Sequence, residues 1–219
     1  MKLNKLTNDF IDAILKEYSL NENNELDEKL LKLFEEFSDH RNKSDVLIKV
    51  AALNKIYSTA ITNINPVVAK INDIAQNQEF NTIVDYVNFV DKISVVKWVN
   101  DKGDEYERNN LSFASKYAHF SSNYKIPIYD SYIWIVIKGY LGQNNHEKLS
   151  FTIPGNYAGF YSTFNRFKEV FQLENYSNYK IDKFLWTYGK KMIRGIQKEN
   201  NFNLDSAKSE LKKRIKASC

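Results

Sequence analysis

LSFASKYAHFSSNYKIPIYDSYI, residues 111–133, is the stretch on which the fold turns. Phe113, Lys116, Tyr117 and Phe120 recur at i, i+3, i+4 and i+7, the spacing of one buried helical face. Three of those positions are aromatic. The fourth is a lysine set where a core residue is expected. After a polar loop, Pro127 biases Ile126 toward extended backbone. Asp130 then has the residue type of a helix N-cap, ahead of an apolar run through Tyr132, Ile133, Trp134, Val136 and Ile137. The pattern is helix, loop, helix, with an acid 14 residues after the lysine.

Working outward, the other segments read the same way. Residues 7–19 set Phe10, Ile11, Ile14, Leu15 and Tyr18 on one stripe, with Thr7 or Asn8 as the cap. A second helix near 25–38 turns Leu26, Leu30, Leu33, Phe34 and Phe37 inward. A third, DVLIKVAALNKIYSTAI (residues 45–61), is apolar nearly all round and is expected to be central. A fourth opens at Asn65-Pro66, since proline suits a first helical turn. Residues 79–100 are kept helical, including the β-branched run from Ile93 to Val96, because a lone strand has no evident partner. Residues 101–110 read as a charged loop and 142–157 as an irregular linker. An aromatic helix follows (Tyr157, Phe160, Phe164, Phe167, Phe171), then a helical segment over 179–196 and a short basic helix at the end. With 7 glycines and 3 prolines in 219 residues, long helices with short connections are favoured over strands and turns. The expected fold class is all-α, as one helical unit or as two lobes, 45–140 forming the core and 1–44 joining 141–219.

One cysteine, Cys219, leaves no intrachain disulfide framework and no four-cysteine cluster. With three histidines no metal constellation stands out, so neither metal nor cofactor is expected. No apolar run reaches membrane length. A cytoplasmic monomer without membrane attachment is the expectation. Charge is uneven: residues 1–45 hold seven Lys/Arg against eleven Asp/Glu, a net of −4, and residues 180–219 hold eleven against four, a net of +7. A basic C-terminal third suits a phosphate-bearing partner; a solvated lysine-rich helix is the competing reading.

A lysine on an apolar face loses solvation of its ammonium form, which lowers its pKa from about 10.4. The neutral amine is a nucleophile able to form a Schiff base. The competing reading is a stem lying along the face with its ammonium in water. For Asp130 it is a plain helix cap.

SFASKYAHF followed by PIYDSYI resembles the core of the helix-hairpin-helix DNA glycosylases, the superfamily of endonuclease III and the 8-oxoguanine glycosylases. Lys116 matches that family's nucleophilic lysine, and Tyr129-Asp130-Ser131-Tyr132-Ile133 matches its catalytic aspartate step. Upstream, Leu53 to Ile61 followed by NPVVAKI is similar to the helix and turn that supply its DNA-intercalating residues. The chain also resembles a widespread group of uncharacterised bacterial proteins sharing LN-x-x-YST, SFASKY and PIYDSY. The likeness covers residues 45–140. It implies excision of a flipped-out base from double-stranded DNA, by a hydrolase with or without lyase cleavage of the strand. Lys116 would attack the sugar and Asp130 would stabilise its positive charge. Ser58, Thr59, Ser112, Ser115, Lys183, Lys190, Lys191 and Arg194 would contact DNA. Tyr117, His119, Trp134, Trp186 and Tyr188 are the candidates for the base pocket. The alternatives are a DNA-binding protein of the same fold without catalysis, and a helical interaction or defence-associated protein.

Overall fold

The computed structural model describes residues 1–20 and 22–218; Cys219 lies outside the described residues. Ten α-helices and one two-stranded sheet are found among them, so the chain is all-α with a single β-hairpin. In order these are α1 (Asn8–Ser19), α2 (Glu22–Glu36), α3 (Lys43–Tyr57), α4 (Asn65–Gln76), α5 (Ile83–Ser94), β1 (Val95–Val99), β2 (Glu105–Asn109), α6 (Leu111–Ser121), α7 (Ser131–Gln143), α8 (Tyr157–Val170), α9 (Asn178–Asn200) and α10 (Leu204–Lys216). The chain divides into two compact units. A terminal unit comprises Met1–Asn21, Asp130–Pro154 and Ser162–Cys219, and a hairpin unit comprises Glu22–Tyr129 and Gly155–Tyr161.

Local chemistry sets the helix starts. The Thr7 hydroxyl accepts from the Phe10 amide at 3.2 Å and begins α1. Pro66 sits in the first turn of α4. Thr82 and Asp85 form a reciprocal capping box at α5, and Asp130 caps α7.

In the hairpin unit α6 is the hub, packed by α2, α3 and α5. Leu111 and every residue from Phe113 to Phe120 are buried, so α6 is enclosed on all sides rather than on one face. The helix expected to be central, α3, is not: Leu47, Ile48 and Ile56 are exposed and its last residue is Tyr57, with Ser58 left-handed at φ 47°. α2 is rotated from the expected stripe. Asp27, Leu30 and Phe34 face inward at i, i+3 and i+7, whereas Leu26 is 41% exposed.

The stretch from Val95 onward is a strand, not a continuation of α5. Its partner lies in the segment read as a charged loop: Val95 to Val99 pairs antiparallel with Asn109 to Glu105. Asn100 closes the turn by accepting from the Lys102 and Asp104 amides at 2.9 Å each, and Gly103 supplies a φ of +87°. Trp98 stacks on Tyr106 across the strands, with ring centroids 5.3 Å apart at 12°.

In the terminal unit α9 is the hub, packed by α1, α7 and α10. Phe184 and Tyr188 meet the edge of Phe10 there. Gly142 near the end of α7 allows the following loop to lie against the helix. A Cβ added at that position would stand 2.7 Å from Leu149 Cβ and 3.1 Å from its Cα. Alanine gains about 1 kcal/mol of helix propensity over glycine, but overpacking against backbone costs about 1–3 kcal/mol, so overpacking wins. Gly142→Ala is expected to lower the thermal unfolding midpoint by a few degrees, read by circular dichroism.

Candidate active site

Lys116 projects from α6 in the hairpin unit and is 6% exposed. Its Nζ donates to Ser112 Oγ at 2.6 Å and approaches the Ser112 carbonyl oxygen at 3.4 Å, one helical turn earlier. It also lies 5.6 Å from the centroid of the Tyr57 ring. The Tyr57 hydroxyl donates in turn to the carboxylate of Asp27, which is itself buried. Amine, serine hydroxyl, phenol and carboxylate thus form one polar cluster in an apolar unit. Ser112 is half-buried, so the cluster sits at the edge of the core.

Ser115 ties the returning chain to α6. The Tyr129 amide donates to Ser115 Oγ at 2.9 Å, and that hydroxyl reaches the Ser112 carbonyl oxygen at 3.0 Å. Both anchors precede a residue of interest: Lys116 follows Ser115 and Asp130 follows Tyr129. Asp130 is half-buried and opens the terminal unit, where its Oδ1 accepts from the Tyr132 amide at 2.7 Å.

The other residues singled out from the sequence fall in different surroundings. Tyr117 and His119 are fully buried core rings of the hairpin unit. The Tyr117 hydroxyl lies 3.1 Å from His40 Nδ1, and His119 Nδ1 donates to the Ile126 carbonyl oxygen at 2.5 Å. Burial pushes the Tyr117 phenol well above its ordinary pKa. Ser58 is exposed; the Thr59 hydroxyl donates to Asn54 Oδ1 at 2.7 Å, and Ala60 joins Ser58 in the left-handed region.

In the terminal unit Trp134 is buried and donates through Nε1 to the Thr152 carbonyl oxygen at 3.0 Å. Tyr188 is buried and accepts from the Asn4 amide at 3.1 Å. Trp186 is half-buried, with the Lys190 ammonium 4.1 Å from its ring centroid. Burial, then the charge of Arg194, lowers the Lys190 pKa. Lys191 is exposed and pairs with Glu17 at 2.7 Å, and Arg194 is exposed. Lys183, expected on a phosphate, is instead a core lysine: its side chain is 6% exposed, 3.7 Å from the Asp182 carboxylate and packed over the Tyr18 and Tyr179 rings.

Two polar groups escape a reading of the sequence. Asp27 is one, masked by the leucines beside it in α2. The other is Lys49 in α3, fully buried, with Nζ 3.0 Å from His40 Nδ1 and 5.7 Å from the centroids of both Phe34 and Tyr117. A signal existed. Val46, Lys49, Val50 and Leu53 repeat the i, i+3, i+4, i+7 spacing of Phe113, Lys116, Tyr117 and Phe120. His40 Nδ1 faces two donors, so the ring is neutral with its proton on Nε2. Burial, reinforced by the Lys49 charge and opposed by Asp39, lowers His40 to about 3. Burial lowers Lys49 to about 8, against the pull of Asp45 and Asp39.

Among the described residues no helix is long and apolar enough to cross a membrane, and no group of three His, Cys, Asp or Glu side chains is placed to hold a metal.

These features define an all-α protein whose most enclosed helix carries a lysine at the edge of its core. The chain belongs to the HI_0787_N family, whose model describes an N-terminal domain and matches residues 10–125, just over half the chain. That match includes Lys116 and stops short of Asp130. No curated protein and no solved structure matches the chain.

The buried pair makes stability depend on pH. Between about 3 and 6.5 the unfolded chain binds a proton at His40 that the folded chain excludes, so stability rises with pH across that window and is lost as pH falls. Between about 8 and 10.5 Lys49 acts in the same direction. Each window changes the folding constant by about tenfold per pH unit. Chemical denaturation from pH 4 to 7 measures the first. Lys49→Met is expected to raise the His40 pKa by removing a neighbouring positive charge while leaving it below 6.5, read from the ring-proton shifts by NMR.

Proposed function

We propose that the protein is a DNA glycosylase-like enzyme, with Lys116 as nucleophile and Asp130 as the acidic partner. The observation that carries this reading is the hydrogen bond from the Tyr129 amide to Ser115 Oγ, which holds the loop ending at Tyr129 to the helix turn that bears Lys116. The likeness of SFASKYAHF and PIYDSYI to the glycosylase core supports it, as do the paired left-handed residues Ser58 and Ala60 in the segment similar to an intercalating turn. Non-glycine residues in that conformation cost about 1–3 kcal/mol each and concentrate at functional sites.

The chemistry follows from the residue types. The target nucleotide leaves the stack, and its glycosidic bond breaks as the base departs with a proton. The Asp130 carboxylate stabilises the cationic sugar. The Lys116 amine attacks C1′; one of its protons goes to the departing base and the other to O4′ as the ring C1′–O4′ bond opens, leaving an imine to the sugar. Removal of a C2′ proton then expels the 3′ phosphate and cuts the strand. The Ser112 hydroxyl, accepting from the amine at 2.6 Å, orients it.

One observation favours a second reading, DNA binding without catalysis. α5 and α6 are joined by a β-hairpin with Gly103 at its tip, where the resemblance implies a glycine-bearing turn between helices that lets backbone N–H groups meet a phosphate.

Borohydride trapping on a duplex carrying an abasic site separates the two. A covalent adduct is expected, lost in Lys116→Gln. Asp130→Asn keeps the helix cap, since asparagine caps as well as aspartate, and is expected to slow base release by about 100-fold or more. Salt-dependent duplex binding with neither adduct nor base release selects the second reading.

A further inference from the structure

A second feature of the hairpin unit lies outside the Lys116 cluster. Between α4 and β1 runs an open groove of about 820 Å³. Lys43, Lys70, Lys92 and Lys97 line it, against one lining carboxylate, Asp73. Lys97 is shared with Glu107 across the hairpin at 2.6 Å, but that pair is mostly exposed and weak. Among the described residues, Lys43, Lys70 and Lys92 have no carboxylate within ion-pair distance; Lys92 donates to the neutral Gln78 side chain at 2.9 Å. Trp98, half-buried, adds an aromatic ring to the same wall and is held by its stack on Tyr106.

We infer that this groove binds a stretch of single-stranded DNA, its phosphates along Lys43, Lys70 and Lys92 and a base against Trp98. Lysines unneutralised by carboxylates match a polyanion, and releasing counterions from its phosphates drives association. The tryptophan narrows the choice of polyanion. A duplex keeps its base faces stacked inside, and the carboxylate side chains of an acidic peptide carry no aromatic face, whereas an unpaired strand presents one base after another to an aromatic side chain. The choice of DNA over RNA rests on the function proposed above. The groove itself is independent of the Lys116 chemistry.

The test is fluorescence anisotropy of a labelled 15-nucleotide oligothymidylate with the full chain, from 25 to 200 mM salt. Oligothymidylate carries no abasic site, so its binding does not read the Lys116 reaction, while borohydride trapping does; either reading can fail alone. Saturable binding is expected, with a log–log salt slope near −2 for three phosphates at about 0.7 each. Lys70→Glu with Lys92→Glu is expected to weaken binding at least tenfold at 50 mM salt and flatten the slope, with thermal unfolding unchanged. If that pair perturbs folding, Lys43→Gln with Lys70→Gln serves, with a several-fold loss expected. Three results overturn the inference: no binding at 25 mM salt, equal binding by wild type and folded groove variants, or displacement by polyglutamate as effective as by unlabelled oligothymidylate. Tighter binding of oligouridylate overturns the choice of DNA.

Discussion

The hairpin unit depends on one constraint, that a helix packed on every side buries a serine, a lysine and a histidine. Ser115, Lys116 and His119 occupy consecutive turns of α6, and all are buried. Buried polar groups are costly unless hydrogen-bonded. Here two of the bonds reach beyond the helix. His119 donates to the Ile126 carbonyl oxygen, and Ser115 accepts from the Tyr129 amide. The segment after α6 is thereby fastened to the helix at two points, before α7 begins at Ser131. Replacing these residues by apolar ones would remove the partners of a buried carbonyl and a half-buried amide, so the polar residues help determine the path of the chain.

The same logic explains the tilt of α2. A leucine face was available at Leu26, Leu30 and Leu33, yet the helix turns Asp27 inward. That carboxylate accepts from Tyr57, and its backbone carbonyl accepts from the Tyr124 hydroxyl at 3.1 Å. Tyr57 then meets the edge of Phe120 on α6. Two phenols from different parts of the unit converge on one residue of α2. Exposing Leu26 forfeits about 1–2 kcal/mol of burial, offset in part by the bonds that the two half-buried hydroxyls make.

The legibility of each element follows from where its determinants lie. The start of α1 at Thr7, of α4 at Asn65-Pro66 and of α7 at Asp130 are set by side chains within a few residues, and local chemistry reveals them. The aromatic face of α6 was legible for the same reason. The hairpin was not, because Val95 to Val99 becomes a strand through pairing with EYERN, a segment whose only large apolar residue is Tyr106 and which has no alternation strong enough to announce itself. Lys183 reads as surface in a basic segment; only the tyrosines at positions 18 and 179, folded over it, make it core. Asp130 was recognisable as a cap, whereas the clamp on its neighbour Tyr129 depends on a serine 14 residues earlier.

Spacing alone does not distinguish the two lysines that share it. Lys49 and Lys116 hold the same position in the same four-residue helical pattern, yet their surroundings differ in kind. Lys49 has no exposed surface, and a neutral imidazole and two aromatic rings enclose it. It could meet a substrate only by opening the core, which for a helix packed this way means breaking the unit. Lys116 retains a small exposed surface, donates to a half-buried serine and lies over the Tyr57 ring. A serine hydroxyl can be exchanged for a substrate oxygen at little loss, because the two make similar bonds, whereas the imidazole of His40 cannot leave without a side-chain rearrangement inside an aromatic cluster. A nucleophile needs an amine that is sheltered from water and still able to move its hydrogen bond from the protein to a sugar. Of the two lysines that the spacing picks out, Lys116 alone keeps any exposed surface.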